Sequence, residues 1–188
     1  LFLCKTDLSF FDNLIGIGRD FVVKEEQLNI LKLMSQVTSR MDLAMFAQKV
    51  NLEPSEAMAN VQELVHKGLV RKGGSGFGVT EKAKAAIKAF TFVPEDKSFQ
   101  FYTGIGYPTV YSARSLFDFY NVTRQIGVDS LEFHLCRGDF EKWVDEVLED
   151  CELAQSIGDI KKGNPKSDAI RKELLEAIDQ KYGLKDLL

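Results

Sequence analysis

The stretch Leu69-Val-Arg-Lys-Gly-Gly-Ser-Gly-Phe-Gly-Val-Thr-Glu-Lys82 decides the reading of the first half of the chain. Two short apolar runs, Leu69-Val70 and Phe77-Gly78-Val79, flank Gly73-Gly74-Ser75-Gly76. Glycine supplies the positive φ that a tight turn needs, so the stretch predicts a β-hairpin with a glycine-rich tip. Thr80 then stands where an N-cap belongs, and Glu81 opens a helix running to about Phe90.

Working back from the hairpin, Gly68 ends a helix that starts at Pro54, where the missing N–H of proline costs nothing. Met58, Val61, Leu64 and Val65 are expected on its core side, with Ser55, Ala59, Asn60, Gln62, Glu63 and His66 more exposed. Asn51-Leu52-Glu53 is the preceding turn. Leu43, Phe46, Ala47 and Val50 follow the i, i+3, i+4, i+7 pattern of a helix capped by Asp42. Residues 25–38 make another amphipathic helix through Leu28, Leu31 and Met34, widened by Ile30 and Leu33. Ahead of it, residues 6–22 predict an apolar helix weakened by Gly16 and Gly18. That helix either joins a dimer interface or packs on its own domain.

Forward of the hairpin, Val93-Pro94-Glu95-Asp96-Lys97 is a polar, proline-marked linker. Phe99 to Tyr102 reads as a short strand, and Gly104, Gly106 and Pro108 as a loop. Ser112 is expected to cap a helix carrying Leu116, Phe117, Phe119 and Tyr120. Asp129 and Asp139 look like caps of further short elements. Phe140, Trp143, Val144 and Val147 form one helical stripe, continued or restarted from Glu152 to about Ile157. A last helix, Asp168 to about Lys181, is expected to bury Ile170, Leu174, Leu175 and Ile178. The division is then an apolar helix at 1–22, a first domain at 23–91, a linker at 92–98 and an α-rich domain at 99–188.

Charge separates the halves. The 188 residues carry net −4, yet residues 20–90 hold ten Lys/Arg against eight Asp/Glu, a net +2. Residues 91–188 hold twelve against eighteen, a net −6. A nucleic-acid role therefore belongs to the first half, and the acidic second half is more suited to a protein partner. Cys4, Cys136 and Cys151 are an odd number in a chain long enough to need no staples, which predicts reduced thiols and a cytoplasmic protein. Without an apolar run of about 18 residues, no membrane span is expected.

The order of helices, then Lys67-Gly-Leu-Val70, a hairpin and Thr80-Glu-Lys82 resembles the MarR-like and related prokaryotic regulators, over residues 23–91. The resemblance implies a mainly α fold, a winged helix-turn-helix with a small β-hairpin wing, acting as a homodimer on double-stranded DNA. Ser55, Ala59 and Asn60 then face base edges, while Arg71, Lys72, Ser75 and Lys82, with Lys84, face phosphate. Such modules also dock proteins, and Glu56 and Glu63 on the third helix favour that alternative. Phe101-Tyr-Thr-Gly104, Ala113-Arg-Ser-Leu116, Ser130-Leu-Glu-Phe-His134, Arg137-Gly-Asp-Phe-Glu-Lys-Trp143 and Glu152-Leu-Ala154 resemble a small, largely archaeal domain family of unknown function. This implies an α-rich second domain, binding an effector or a partner.

His134, Arg137, Asp139 and Trp143 either line a small-ligand pocket or form a capping network between short elements, and the residues favour capping. A structural zinc site wants two tight ligand pairs, and His134 with Cys136 offers one at most, so no metal is expected. Gly104-Ile-Gly106 lacks the third glycine of a phosphate loop. Glu149, Asp150 and Glu152 read as a solvated helix end. No Ser/His/Asp or Cys/His spacing points to a nucleophile, so the expectation is a non-enzymatic protein without a cofactor.

Overall fold

A computed structural model describes residues 25–36, 43–73 and 76–187. The expected helix at 6–22, the Asp42 cap, Cys4 and Ser75 lie outside them. The protein is mainly helical, with two small antiparallel hairpins.

The first half runs α1 (Glu25–Gln36), α2 (Leu43–Lys49), α3 (Pro54–His66), β1 (Val70–Gly73), β2 (Gly76–Val79) and α4 (Glu81–Ala89). The buried face of α1 is Gln27, Ile30 and Leu31, so the stripe is rotated from the Leu28-centred one expected. Gln27 is buried because its side-chain oxygen accepts from Lys67 Nζ at 3.0 Å, tying α1 to the end of α3. On α3 the core face is Ala57, Val61 and Leu64, with Met58 and Val65 only half-buried. Gly68, at φ 70°, then closes α3 as the glycine stop requires. Its N–H donates to Val65 O at 3.0 Å, and Leu69 N–H reaches back to Leu64 O at 2.9 Å. Those two bonds satisfy the orphan carbonyls of the last turn.

The β1–β2 register pairs Val70 with Val79, Arg71 with Gly78, Lys72 with Phe77 and Gly73 with Gly76. Thr80 closes the unit from two sides. Its hydroxyl oxygen accepts from the Ala83 N–H at 3.2 Å, and its O–H donates to Gly68 O at 2.9 Å. The helix cap is thus also a clasp on the base of the hairpin. Beyond it, α4 buries a stripe of Ala83, Ala86 and Ala89, whose small side chains let neighbouring elements come close.

The second half runs β3 (Phe99–Gly104), β4 (Tyr107–Ala113), α5 (Leu116–Gln125), α6 (Val128–Arg137), α7 (Asp139–Glu146), α8 (Cys151–Gly163) and α9 (Asp168–Tyr182). Four local expectations are corrected. The segment from Tyr107 onward is a strand, not a loop, and Ile105 with Gly106, the latter at φ 81°, makes a two-residue turn. Ser115, not Ser112, caps α5: its hydroxyl accepts from Asp118 N–H at 3.0 Å, while the Asp118 carboxylate accepts from Arg114 N–H at 3.0 Å. Asp129 sits in the first turn of α6, whose N-cap position is Gly127. Asp139 likewise opens α7 behind Gly138, a left-handed residue shared as the end of one helix and the start of the next. On α9, Ile170, Leu174 and Ile178 are buried, whereas Leu175 is half-buried.

One buried apolar cluster runs through both halves. Phe90 stacks on Phe117 with ring centroids 4.1 Å apart. Residues 92–98, expected as a linker, are tied into the second half. Val93 N–H donates to Arg114 O at 2.7 Å, and Trp143 Nε1 donates to Lys97 O at 2.9 Å. Thr80→Ala removes both the cap of α4 and the clasp on the hairpin. We expect a loss of about 1–2 kcal/mol of stability, measured by urea denaturation.

Candidate functional site

The candidate nucleic-acid surface is spread over three elements. Ser55 and Ala59 are exposed one helical turn apart on α3, and Gln62 continues that strip. Asn60 is half-buried and spends its amide donor on its own helix, Nδ2 to Glu56 O at 3.1 Å. Glu53 and Glu56 are exposed around the start of the same helix. The hairpin presents Arg71 and Lys72, both exposed and adjacent on β1. Lys82 and Lys84 are exposed in the first turn of α4, where Lys84 is partly neutralised by Glu81 at 2.7 Å. The structure therefore places Ser55, Ala59 and Asn60 on one helix, Arg71 and Lys72 on one strand, and Lys82 on a third element. Two apolar side chains, Met45 on α2 and Phe77 on β2, are exposed in the same half.

His134, Arg137 and Asp139 come together where β3, α6 and α7 meet. The His134 Nε2 accepts the Tyr102 N–H at 2.8 Å. A nitrogen that accepts from a backbone amide carries no proton, so Nδ1 bears the hydrogen and donates it to Asp139 at 2.8 Å. Arg137 Nε donates to the same Asp139 oxygen at 3.0 Å. The imidazole is surrounded by the rings of Phe99, Phe101, Phe133 and Phe140. Trp143 stands apart from this triad: it packs on Phe99 and Phe119 and reaches Lys97 through its indole N–H. Both ring nitrogens of His134 are occupied by protein groups, so the arrangement joins three elements.

Burial lowers the His134 pKa from its ordinary 6.5, outweighing the pull of the Asp139 carboxylate. In the unfolded chain the same group titrates near 6.5. Below that pH the unfolded state takes up the proton first, so stability present above about pH 6.5 is lost as pH falls towards the folded-state pKa. We expect thermal stability to decline over this window. In His134→Gln, which keeps an acceptor for the Tyr102 N–H but cannot titrate, that part of the slope should vanish.

Asp150 departs from the sequence reading. It is buried, not solvated, and it caps α8 by accepting from Leu153 N–H at 3.2 Å. Lys181 Nζ donates to its Oδ1 at 2.5 Å and Tyr182 donates its hydroxyl to Oδ2. Lys88, on α4, stands 3.8 Å from Oδ2 and donates to Glu149 O at 3.3 Å. Burial alone would raise the Asp150 carboxyl, but Lys181, Tyr182, the Leu153 N–H and the Lys88 charge hold it below the ordinary 3.8. Burial, then the Asp150 carboxylate, pushes the Tyr182 hydroxyl up, so it remains a donor. Glu149, at φ 51°, turns the chain so that Asp150 enters this site. Asp150→Ala strands the donors and removes a cap, and we expect a loss of about 3 kcal/mol. The exposed partner change Glu152→Ala should stay within about 0.5 kcal/mol. Urea titration of both variants checks the contrast.

Cys136 and Cys151 are free and exposed. Among the described residues, no group of three His, Cys, Asp or Glu side chains is placed to hold a metal ion. No described helix is long and apolar enough to cross a membrane. No family model, curated protein or solved structure matches the chain. Neither family resemblance gains support from these comparisons.

Proposed function

We propose that residues 23–91 are a winged-helix module that binds duplex DNA, in a transcriptional regulator whose acidic second half receives an effector or a protein partner. The observation that carries the reading is the adjacent, exposed pair Arg71 and Lys72 on a hairpin that follows a helix with an exposed opening face. In this reading Ser55, Ala59 and Asn60 approach base edges. Arg71, Lys72 and Lys82 neutralise phosphates, and a homodimer presents two such units. The protein is a binder, not an enzyme, and acts in the cytoplasm.

A second reading has its own observation. Glu53 and Glu56 are exposed at the opening of α3, and Met45 and Phe77 are exposed large apolar side chains in the same half. Acidic and apolar groups together suit a protein-docking module better than a phosphate-facing one.

Fluorescence anisotropy with mixed genomic duplex DNA separates the two. Under the DNA reading, affinity falls steeply with salt, and Arg71→Glu with Lys72→Glu reduces the steepness of log K against log salt by about 1.8, two phosphate contacts at about 0.9 each. Absence of binding at low salt would reject the DNA reading and leave the docking one.

A further inference from the structure

We propose that the groove between α5 and α9 is a binding site for a small zwitterion, an α-amino acid with a large apolar side chain. This gives a chemical class to the effector of the proposed function, and rests on that reading for its regulatory role alone.

The groove has a volume of about 390 Å³ and is lined by Tyr120 of α5, by Arg171, Leu175 and Asp179 of α9, and by Lys185 beyond it. Small-ligand sites begin at roughly 300 Å³. Its sides are fixed before anything binds. Arg171 clamps α9 to the end of α5, Nη1 donating to Thr123 O and Nη2 to Ile126 O at 2.7 Å. The Lys185 N–H donates to Asp179 Oδ1 at 2.7 Å and holds that carboxylate in place. A site already ordered loses little freedom on binding.

Tyr120 is the residue that points to a ligand. It is 6% exposed, it lines the groove, and its hydroxyl has no hydrogen-bond partner among the described residues. A buried tyrosine ordinarily finds a partner for that group. The hydroxyl is not sealed in the core, so it opens on the groove. Burial, then the Asp179 carboxylate, raises its pKa above the ordinary 10.0 against the charge of Arg124, so it stays protonated and able to donate.

Charge selects the ligand class. Asp168 lies 3.1 Å from Arg171, and Glu176 faces Lys172 at 3.8 Å, so these four answer one another. Arg124 does not: it is exposed, and it makes no ion pair or hydrogen bond among the described residues. It stands one turn past Tyr120 on the same side of α5. A guanidinium fork beside a phenolic O–H suits a carboxylate. Asp179 is half-buried two turns past Arg171, and its Oδ2 accepts no hydrogen bond among the described residues, which suits an ammonium. Half-buried Leu175 lies between Arg171 and Asp179 on α9 and supplies the apolar contact. A simple carboxylic acid would meet the like charge of Asp179. A simple amine would meet Arg124 and, at the rim, Lys185. A molecule carrying both groups answers both sides.

The test uses the whole chain with free L-leucine and L-phenylalanine. Amide NMR spectra should show saturable shifts at residues 120–124, 171–179 and 185. N-acetyl-leucine, which lacks the ammonium, and leucine amide, which lacks the carboxylate, should produce none. Tyr120→Phe removes a hydroxyl bonded to nothing else in the described chain, so the melting temperature should hold while affinity falls about tenfold or more. Asp179→Asn keeps an acceptor for the Lys185 N–H and should weaken binding likewise. No saturation by about 10 mM, ten times a 1 mM constant, would overturn the proposal. So would shifts confined to other residues, a blocked form binding as well as the free amino acid, or unchanged affinity in folded Tyr120→Phe. The comparison with blocked forms needs no variant to fold. Every readout is taken without DNA, so failure here and failure of the DNA reading are told apart.

Discussion

The hydrogen bond from the Tyr102 N–H to His134 Nε2 constrains much of the second half. It demands a neutral imidazole, and the ring environment of Phe99, Phe101, Phe133 and Phe140 favours the same state by excluding water. With Nε2 accepting, Nδ1 must donate, and Gly138 makes the turn that brings Asp139 back to receive it. One side chain thereby fixes how β3, α6 and α7 meet. The aromatic cluster around Phe99 then packs in edge-to-face and tilted pairs instead of sliding freely. Among the described residues, α6 meets β3 through this imidazole and β4 has β3 as its one strand neighbour.

The same economy joins the halves through α4. Its start is Thr80, which also clasps the hairpin; its alanine stripe is buried; and just past its end, Phe90 stacks on Phe117. Near that end Lys88 stands beside Asp150, whose side-chain donors Lys181 and Tyr182 come from α9. The helix that sets the base of the β1–β2 hairpin is therefore the helix on which the acidic half rests.

What the sequence reveals follows the range of the interactions. Pro54, Gly68 and the Thr80 cap on Ala83 act on neighbours a few residues away, so the order of α1 to α4 and the first hairpin are legible from local chemistry. β4 is not, because its bulge breaks the alternation of apolar and polar residues and Pro108 imitates a loop. Ser115 was obscured by Ser112, three residues earlier and equally suited by type; Asp118 at the third helical position is the signal that separates them. Asp150 was unreadable for a different reason. Its partners Lys181 and Tyr182 lie 31 and 32 residues on, and a run of carboxylates looks solvated until the distant donors are placed. Gln27 is hidden for the same reason, since a polar residue adds nothing to an apolar period and its partner Lys67 lies 40 residues on.

The electrostatics of α3 bear on how any duplex contact would be divided. Glu53 and Glu56 flank its opening, and its lysine, Lys67, is engaged at the far end with Gln27 and Glu63. Such a helix gains nothing from the phosphate field and must approach DNA against it. Attraction to a duplex would then fall to the exposed Arg71 and Lys72 on the hairpin and Lys82 on α4. Under the proposed DNA reading, affinity and selectivity would fall to different elements: the hairpin would hold the duplex, and α3 would meet it with the short neutral side chains of Ser55 and Ala59 beside an exposed carboxylate. If no duplex is bound, the same division describes a docking face: an acidic helix opening for a basic partner, with Phe77 and Met45 supplying apolar contact. The charge at the start of α3 excludes one arrangement under either reading, a recognition helix held chiefly by its own phosphate contacts.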